Sequence, residues 1–217
     1  MNGESNHARL MDRIYRFQRY FYDITRKYYL LGRDRLIRDM NVHPDSRILE
    51  MGCGTARNLI LMARRYPHAR FYGVDASQKM LRTAELKIQR AGLQDRIFVR
   101  VGLAEEIDAQ DTFGLREPFD GVFYSYSLSM IPSWQKAIQA GWNNLRAGGQ
   151  MAIVDFCDQK GLPRWFRNAL TRWLTWFHVR HEPELLHYLS DLATRDNSRL
   201  QISYIKGRYS FIAIATK

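Results

Sequence analysis

A short glycine-containing loop, EMGCGTA at residues 50–56, constrains the fold of this chain more than any other segment. It follows the apolar run RILEM (47–51) and leads into the helical pattern NLILMARRY (58–66). Gly52 and Gly54 lack a Cβ, so the backbone can turn sharply there and a ligand can lie against it. A strand that passes through such a loop into a helix is typical of open parallel sheets, which bind ligands at the carboxyl edge of their strands.

The segments that follow this loop alternate between β-rich and helical patterns. Apolar runs rich in β-branched or aromatic residues are the strand candidates at 47–51, 70–75, 96–102, 119–125, 150–156, 200–205 and 208–216. The last two flank Lys206-Gly207 and are expected to pair as an antiparallel hairpin at the sheet edge. The pattern predicts an α/β protein of one domain, 1–217, with a doubly wound, seven-stranded, mostly parallel sheet in a core at 45–217. Helices are expected over 8–40, as an N-terminal cap, and over 162–180 and 183–194.

Composition narrows the class of protein. The 217 residues are 46% hydrophobic, which suits one core, and 33 lysines and arginines against 22 acids give a net charge of +11. This charge favours phosphate-bearing partners. The sequence has no apolar run long enough to span a membrane and does not begin like a signal peptide, so we expect a cytoplasmic protein that is not integral to a membrane. Only Cys53 and Cys157 are present, which predicts no disulfide framework and no metal.

Asp75 closes the strand that follows the glycine loop, about twenty residues after it. A carboxylate at this place can accept hydrogen bonds from both ribose hydroxyls of an adenosine. A dinucleotide fingerprint needs glycine or alanine at position 57, but this chain has Arg57 there and its small residue at Ala56. The loop therefore disfavours an NAD-dependent oxidoreductase, which is kept as the rival enzyme class.

The spacing E-x-G-x-G-x-A at 50–56, followed by GVDASQKML (73–81), resembles the class I S-adenosylmethionine-dependent methyltransferases. The resemblance extends to the C-terminal hairpin and implies a Rossmann-like fold, S-adenosylmethionine as cofactor and S-adenosylhomocysteine as product. It places Gly52 and Gly54 under the methionine part and Asp75 on the ribose. The other cofactor-binding residues that it implies are Tyr29, Arg33, Glu50, Thr55, Asn58, Ala76, Met80, Leu103, Ala104 and Ser125.

Three of these positions carry qualifications. Glu50 is expected to brace the loop backbone or to reach the cofactor amino group through water. Leu103 stands where many relatives carry an acid, so adenine recognition is expected to rest on backbone groups at Leu103 and Ala104, and not on Glu105. Arg33 is either a partner of the cofactor carboxylate or a solvated helix charge.

The segment after the fourth strand, YSYSLSMIP (124–132), bears on the methyl acceptor. It lacks the N/D-P-P-Y/F motif of base and amide N-methyltransferases, which argues against a DNA or glutamine acceptor. Tyr124 and Tyr126 instead offer aromatic faces for an amine that becomes a quaternary cation, each worth roughly 0.5–2 kcal/mol when well placed. The alternative that these tyrosines only pack beside the sheet remains open.

Three segments, 22–37, 52–59 and 208–217, look like those of the bacterial diacylglyceryl-homoserine N-methyltransferases of betaine-lipid synthesis. A phosphatidylethanolamine N-methyltransferase, or an enzyme for another amine or small molecule, is the alternative. Tyr22, Asp23 and Tyr126 are the candidates to assist deprotonation of the acceptor ammonium. The candidate substrate-binding residues are Tyr124, Ser127, Tyr204, Arg208 and Tyr209.

The run LPRWFRNALTRWLTWFHVR (162–180) places aromatic and apolar residues at helical spacing among four arginines with no acid. This composition is typical of a helix at a membrane interface, although an aromatic stripe also occurs in cores. The expected partners are a lipid amine and an anionic membrane surface to which the protein binds peripherally, with no nucleic acid. A basic module that binds membrane or RNA without catalysis is the non-enzymatic alternative.

Overall fold

The computed structural model describes residues 30–176 and 183–217, and for several residues of 166–176 it describes the backbone only. Tyr22, Asp23 and Tyr29, together with most of the cap predicted at 8–40, lie outside the described residues. The same holds for 177–182.

Seven strands of the described residues form one sheet. They are β1 (Arg47–Met51), β2 (Arg70–Asp75), β3 (Ile97–Val101), β4 (Phe119–Ser125), β5 (Leu145–Phe156), β6 (Arg199–Ile205) and β7 (Ser210–Thr216). The described helices are α1 (Arg33–Asp39), α2 (Arg57–Arg65), α3 (Gln78–Arg90), α4 (Ala109–Phe113), α5 (Trp134–Asn143), α6 (Arg164–Trp176) and α7 (Leu185–Arg195). Short 3-10 turns occupy Ala104–Glu106 and Leu128–Met130.

The sheet runs in the order β3-β2-β1-β4-β5-β7-β6, with β1 to β5 parallel and β7 antiparallel to both of its neighbours. The predicted α/β class, parallel core and antiparallel hairpin are therefore confirmed. The hairpin turn is built on positive φ angles at Lys206, Gly207 and Arg208. Strand β5 begins at Leu145, five residues before the predicted start, and a register shift against β4 between Phe119 and Gly121 accommodates this extension.

Helices cover both faces of the sheet. A first helical layer, consisting of α1, α2, α3 and α6, shares one buried cluster that includes Leu36, Leu59, Leu81 and Leu170. A second helical layer, consisting of α4, α5 and α7, packs into the opposite cluster through Ala109, Trp142 and Leu189 among others. None of the described helices is long and apolar enough to cross a bilayer.

The chain leaves β1 toward β2 and β3 on one side and returns through β4 and β5 on the other. The strand order therefore reverses between β1 and β4. In doubly wound sheets the carboxyl ends of the strands open a crevice at this reversal, and ligands bind there.

Candidate active site

A cleft of about 710 Å³ opens at the carboxyl edge of β1, β2 and β4, at the point of reversal. Backbone and side chains from four segments, at the ends of β1, β2, β3 and β4, line it: Gly52, Gly54, Val74, Asp75, Ala76, Met80, Gly102, Leu103, Ala104, Glu105, Ser125, Tyr126, Ser127, Met130 and Ile131. Ten of these were predicted as site residues, namely Gly52, Gly54, Asp75, Ala76, Met80, Leu103, Ala104, Ser125, Tyr126 and Ser127. The sequence-based assignment thus converges on one place in the fold.

The glycine loop forms the floor of the cleft. Gly52 has φ +76° and Gly54 has φ +54°, conformations that glycine adopts without strain. The amides of Gly52 and Cys53 both donate to the carbonyl oxygen of Val74, each at 2.9 Å, which holds the loop against β2. A Cβ at position 52 would lie 2.6 Å from the Cβ of Ser127, so a side chain does not fit here without movement.

Asp75 joins the loop to the start of α3. Its Oδ2 accepts a hydrogen bond from the Gly54 amide at 2.8 Å, and its Oδ1 accepts one from the Ser77 amide at 2.9 Å. Asp75 is only 9% exposed but borders the cleft. A carboxylate at the cleft border is a hydrogen-bond acceptor of the kind that ligand hydroxyl groups require.

Ser125 supplies a further polar group at the end of β4. Its side-chain oxygen is buried and has no hydrogen-bond partner in the part of the chain that the structure describes. A buried hydroxyl without a partner is unfavourable unless a ligand or water pairs with it. The Ser127 hydroxyl, in contrast, donates to the Met51 carbonyl at 2.8 Å and thereby fastens the segment after β4 to β1.

Four of the predicted cofactor residues do not line the cleft and support its loop or the neighbouring helices. Glu50 is 1% exposed and its Oε1 accepts from the Asn58 side-chain amide at 2.7 Å, which ties the end of β1 to α2. Thr55 accepts from the Lys87 ammonium at 3.1 Å. Arg33 is buried at the first position of α1, which corrects the alternative of a solvated helix charge.

Tyr124 lies on the other side of the sheet, and the prediction that its ring faces a substrate is wrong. The side chain is fully buried in the cluster shared with α5, and its hydroxyl donates to the Ala137 carbonyl at 2.7 Å. Burial raises the pKa of this phenol well above its usual range. Tyr124 is therefore a core residue that anchors α5.

Tyr126 borders the cleft but is not suited to act as a base. Its hydroxyl donates to the Leu31 carbonyl at 2.5 Å, and its ring packs edge-to-face on Phe156 at 4.7 Å. Burial raises the pKa of its phenol well above the usual value, so the phenolate form is strongly disfavoured. The role predicted in deprotonation is corrected: Tyr126 fixes the chain before α1 to the sheet and presents a neutral wall to the cleft.

The three substrate candidates near the C-terminus also lie outside the cleft lining. Tyr204 is exposed on the edge strand β6, with the Arg208 guanidinium 4.2 Å from its ring centre. Arg208 forms two hydrogen bonds to Asp158, at 2.7 and 2.8 Å. Tyr209 is buried and packs against Phe156. These contacts stabilise the hairpin, and the three side chains are not part of the cleft lining.

Asp155, at the carboxyl end of β5, was missed by the sequence reasoning. It is 1% exposed; its Oδ2 accepts from the Ser129 amide at 3.0 Å and its Oδ1 from the Phe156 amide at 2.8 Å. It thereby holds the turn that carries Met130 into the cleft wall. Its position after an apolar strand was the available signal, since functional side chains collect at that edge.

Burial raises the pKa of the Asp155 carboxyl to about 6, against 3.8 for an unburied aspartate, although hydrogen bonds from Phe156 and Ser129 oppose this rise. The folded state therefore binds this proton more tightly than the unfolded chain does. The resulting stability is complete below pH 4 and is lost as the pH rises to about 6, a change of about 3 kcal/mol.

We expect Asp155→Asn to remove this contribution. Chemical unfolding of both proteins from pH 4 to 7 measures it: the difference in unfolding free energy between variant and wild type should shift in favour of the variant as the pH rises. A pH-independent difference would mean that Asp155 titrates at an ordinary pKa.

A family model described as a methyltransferase domain matches residues 42–201, a range that contains the whole cleft. The chain belongs to this methyltransferase family. It is 28% identical over 143 residues to the demethylmenaquinone methyltransferase of Listeria welshimeri, which covers 65% of this chain and 58% of that protein. It is 32% identical over 127 residues to the phosphatidylethanolamine N-methyltransferase of Cereibacter sphaeroides, covering 58% and 59%. This chain thus spans less than two thirds of the length of either relative.

Solved structures agree on the fold of this methyltransferase. A SAM-dependent methyltransferase from Aquifex aeolicus superposes with a TM-score of 0.64 at 15% identity, covering 94% of this chain and 97% of that one. An O-methyltransferase family protein from Burkholderia thailandensis gives a TM-score of 0.68 at 14% identity, covering 99% and 62%.

S-adenosylmethionine is the cofactor of this family. The cleft fits it, because the Asp75 carboxylate borders the cleft as an acceptor for ribose hydroxyls and the buried Ser125 hydroxyl lacks a partner in the described chain.

Proposed function

We propose that this methyltransferase N-methylates the amino headgroup of a lipid, converting diacylglyceryl homoserine to its trimethyl betaine. Three segments of the sequence, 22–37, 52–59 and 208–217, resemble enzymes of that reaction. The phosphatidylethanolamine N-methyltransferase relative, at 32% identity, supports a lipid amine as the acceptor and makes phosphatidylethanolamine the first alternative. The observation that carries the proposal is the composition of the cleft, which joins a polar end at Asp75 to an apolar wall at Met130 and Ile131.

When bound, the cofactor supplies an electrophilic methyl group on a sulfonium. Transfer needs a neutral nitrogen lone pair in line with that methyl, so the protein contributes chiefly alignment and the exclusion of water. Gly52 and Gly54 would let the floor of the cleft approach the donor, and Asp75 would hold its ribose.

The nitrogen must lose one proton before each of the three methylations. The trimethylated product has neither a proton nor a lone pair on nitrogen. Tyr126 is not the acceptor of this proton, because its hydroxyl is donated to Leu31 and burial raises its pKa. We assign the proton to water at the mouth of the cleft. The Tyr126 ring borders the cleft, and we assign to it the aromatic face that stabilises the cationic product.

A second candidate function follows from the demethylmenaquinone methyltransferase of Listeria welshimeri, at 28% identity. The acceptor named there is a quinone, whereas the proposed acceptor is an amine. Both acceptors are lipids, so the apolar wall at Met130 and Ile131 is compatible with either.

Incubation with methyl-labelled S-adenosylmethionine and separate vesicles of diacylglyceryl homoserine, phosphatidylethanolamine or reduced demethylmenaquinone distinguishes these functions. We expect three labelled methyl groups on the homoserine lipid, identified by mass. Label on phosphatidylethanolamine alone selects the first alternative, and label on the quinone alone replaces the N-methylation proposal.

Access to a lipid requires contact with a bilayer, and we propose that α6 contributes to it. Trp165 is 73% exposed, and Arg164 and Arg172 are exposed on the same helix. Leu170, in contrast, is buried in the core, so the predicted stripe is divided between exposed and core residues. The side chains of Phe166, Trp173, Leu174 and Phe177 lie outside the described set.

Trp165→Ala should weaken binding to anionic vesicles by about fivefold to tenfold, because an aromatic ring at the headgroup level loses its contact. Tyr204→Ala is the matched control. Tyr204 is 46% exposed on the edge strand, and it pairs with Phe211, on the side of the sheet that the second layer covers. Vesicle co-sedimentation measures both. Equal binding by Trp165→Ala and wild type would remove α6 from the interface.

A further inference from the structure

The two helical layers differ sharply in charge. The four helices of the first layer contain thirteen arginines and lysines against three acids, a formal charge of +10. The three helices of the second layer contain two of each, so their formal charge is zero with histidine neutral. The basic excess of the described helices therefore lies on one face of the sheet and is not spread over the molecule.

A groove between α2 and α3 concentrates this charge. The groove is open to solvent, and its lining residues are Arg57, Ile60, Leu61, Arg64, Lys87, Arg90 and Ala91. Four of the seven are cationic and three are apolar, and none of the described lining residues is an acid. Arg57 also pairs with Asp34 at 3.2 Å, whereas Arg64 and Arg90 are exposed at the C-terminal ends of their helices.

We propose that the first helical layer docks on an anionic phospholipid bilayer and that the groove between α2 and α3 receives a lipid phosphate. This inference deepens the proposed function, because it rests on an acceptor that lies in a bilayer, and it assigns the face of the protein that meets it. The cations at Arg64, Lys87 and Arg90 meet the phosphate oxygens, and Ile60 and Leu61 meet the glycerol and upper acyl carbons.

Two features favour a bilayer over a nucleic acid as the partner. The groove has an apolar floor but no aromatic ring on which a base could stack, and single-stranded nucleic acids rely on such rings. The exposed Trp165 lies on α6 in the same layer, and tryptophan is enriched at the headgroup level of membranes. A layer of basic helices together with an exposed indole matches a lipid surface.

The test compares Arg64→Glu/Arg90→Glu with the control pair Arg116→Glu/Lys136→Glu. Both pairs change the net charge equally at exposed positions, but Lys136 lies on α5 in the second layer and Arg116 lies in the loop after α4. On vesicles of phosphatidylcholine with phosphatidylglycerol, we expect the groove pair to lose affinity on the order of thirtyfold and the control pair to lose severalfold at most. Vesicles of phosphatidylcholine alone should not distinguish the proteins.

Equal losses by the two pairs would overturn the proposal, since net charge and not the groove would then govern binding. Loss of transfer-RNA binding by the groove pair, with vesicle binding unchanged, would also overturn it and identify a nucleic-acid surface. S-adenosylhomocysteine affinity, measured by calorimetry, should be unchanged in all variants. The groove pair should also still methylate the acceptor when the lipid is dispersed in detergent. If the wild type methylates no lipid in detergent, the proposed function fails. The vesicle comparison would still decide whether the first layer is the docking face.

Discussion

Asp75→Ala should lower the affinity for S-adenosylhomocysteine by at least about a hundredfold. Hydrogen bonds to a charged group contribute about 1.5–3 kcal/mol each, and the variant loses the acceptor for two ribose hydroxyls. The structure adds a consequence for stability, because Asp75 also accepts from the amides of Gly54 and Ser77. Leaving these partly buried amides unpaired should lower the unfolding free energy by about 2 kcal/mol or more.

Calorimetry on the folded protein, with circular dichroism to establish folding, measures this effect. Glu106→Ala is the matched control, since it removes an exposed acid from the segment after β3 without touching the cleft lining. Asp75→Asn keeps the side-chain size and one acceptor oxygen and should fall between the two. Wild-type affinity in a folded Asp75→Ala protein would show that this carboxylate does not hold the cofactor.

Gly52→Ala should abolish most methyl transfer and destabilise the protein by about 3 kcal/mol. Two effects combine at this position. The backbone has φ +76°, where an L-residue is strained by roughly 1–2 kcal/mol, and the new Cβ would lie 2.6 Å from the Cβ of Ser127. Relief of that contact has to displace either the cleft floor or the segment after β4.

Gly92→Ala separates the two effects. Gly92 has a similar φ of +66°, but a Cβ there meets nothing within 4 Å. The control should therefore lose only the strain of about 1–2 kcal/mol and keep full activity. Thermal unfolding and initial rates for the two variants make the comparison. If Gly52→Ala is as active as Gly92→Ala, the loop tolerates a side chain and the close approach of the cofactor is not required there.

The fold was predictable because its signals are local. The strand RILEM, the loop with two positive-φ glycines and the acid at the end of the next strand each depend on a few adjacent residues. The order of elements then leaves little freedom in how a parallel sheet is wound. Ten predicted residues accordingly meet at one cleft.

The placement of Tyr124 and Tyr126 on opposite faces of the sheet was not predictable in this way. Residues two apart on a continuous strand share a face, which would place both rings on the same side. Strand β4 ends at Ser125, however, and Tyr126 adopts φ +57°, which turns its ring into the first-layer cluster while Tyr124 packs in the second. No residue pattern marks this change, because it depends on the contacts of Tyr126 with Leu31 and Phe156, far along the chain.

The supporting contacts of the loop were hidden for a similar reason. Asn58 reaches Glu50 across the loop, and Lys87 reaches Thr55 from α3. Spacing identifies these positions as close to the site, but only the packed structure separates a side chain that borders the cleft from one that braces it. The same limit applies to Asp155, whose partner Ser129 lies 26 residues earlier.

A crystal structure of the protein with S-adenosylhomocysteine tests the assignment of the cleft most directly. The expected result is a nucleoside in the cleft between β1 and β4, with both ribose hydroxyls within hydrogen-bond distance of Asp75 and the adenine beside Met80 and Leu103. A nucleoside bound elsewhere, with neither ribose hydroxyl within hydrogen-bond distance of Asp75, would contradict it.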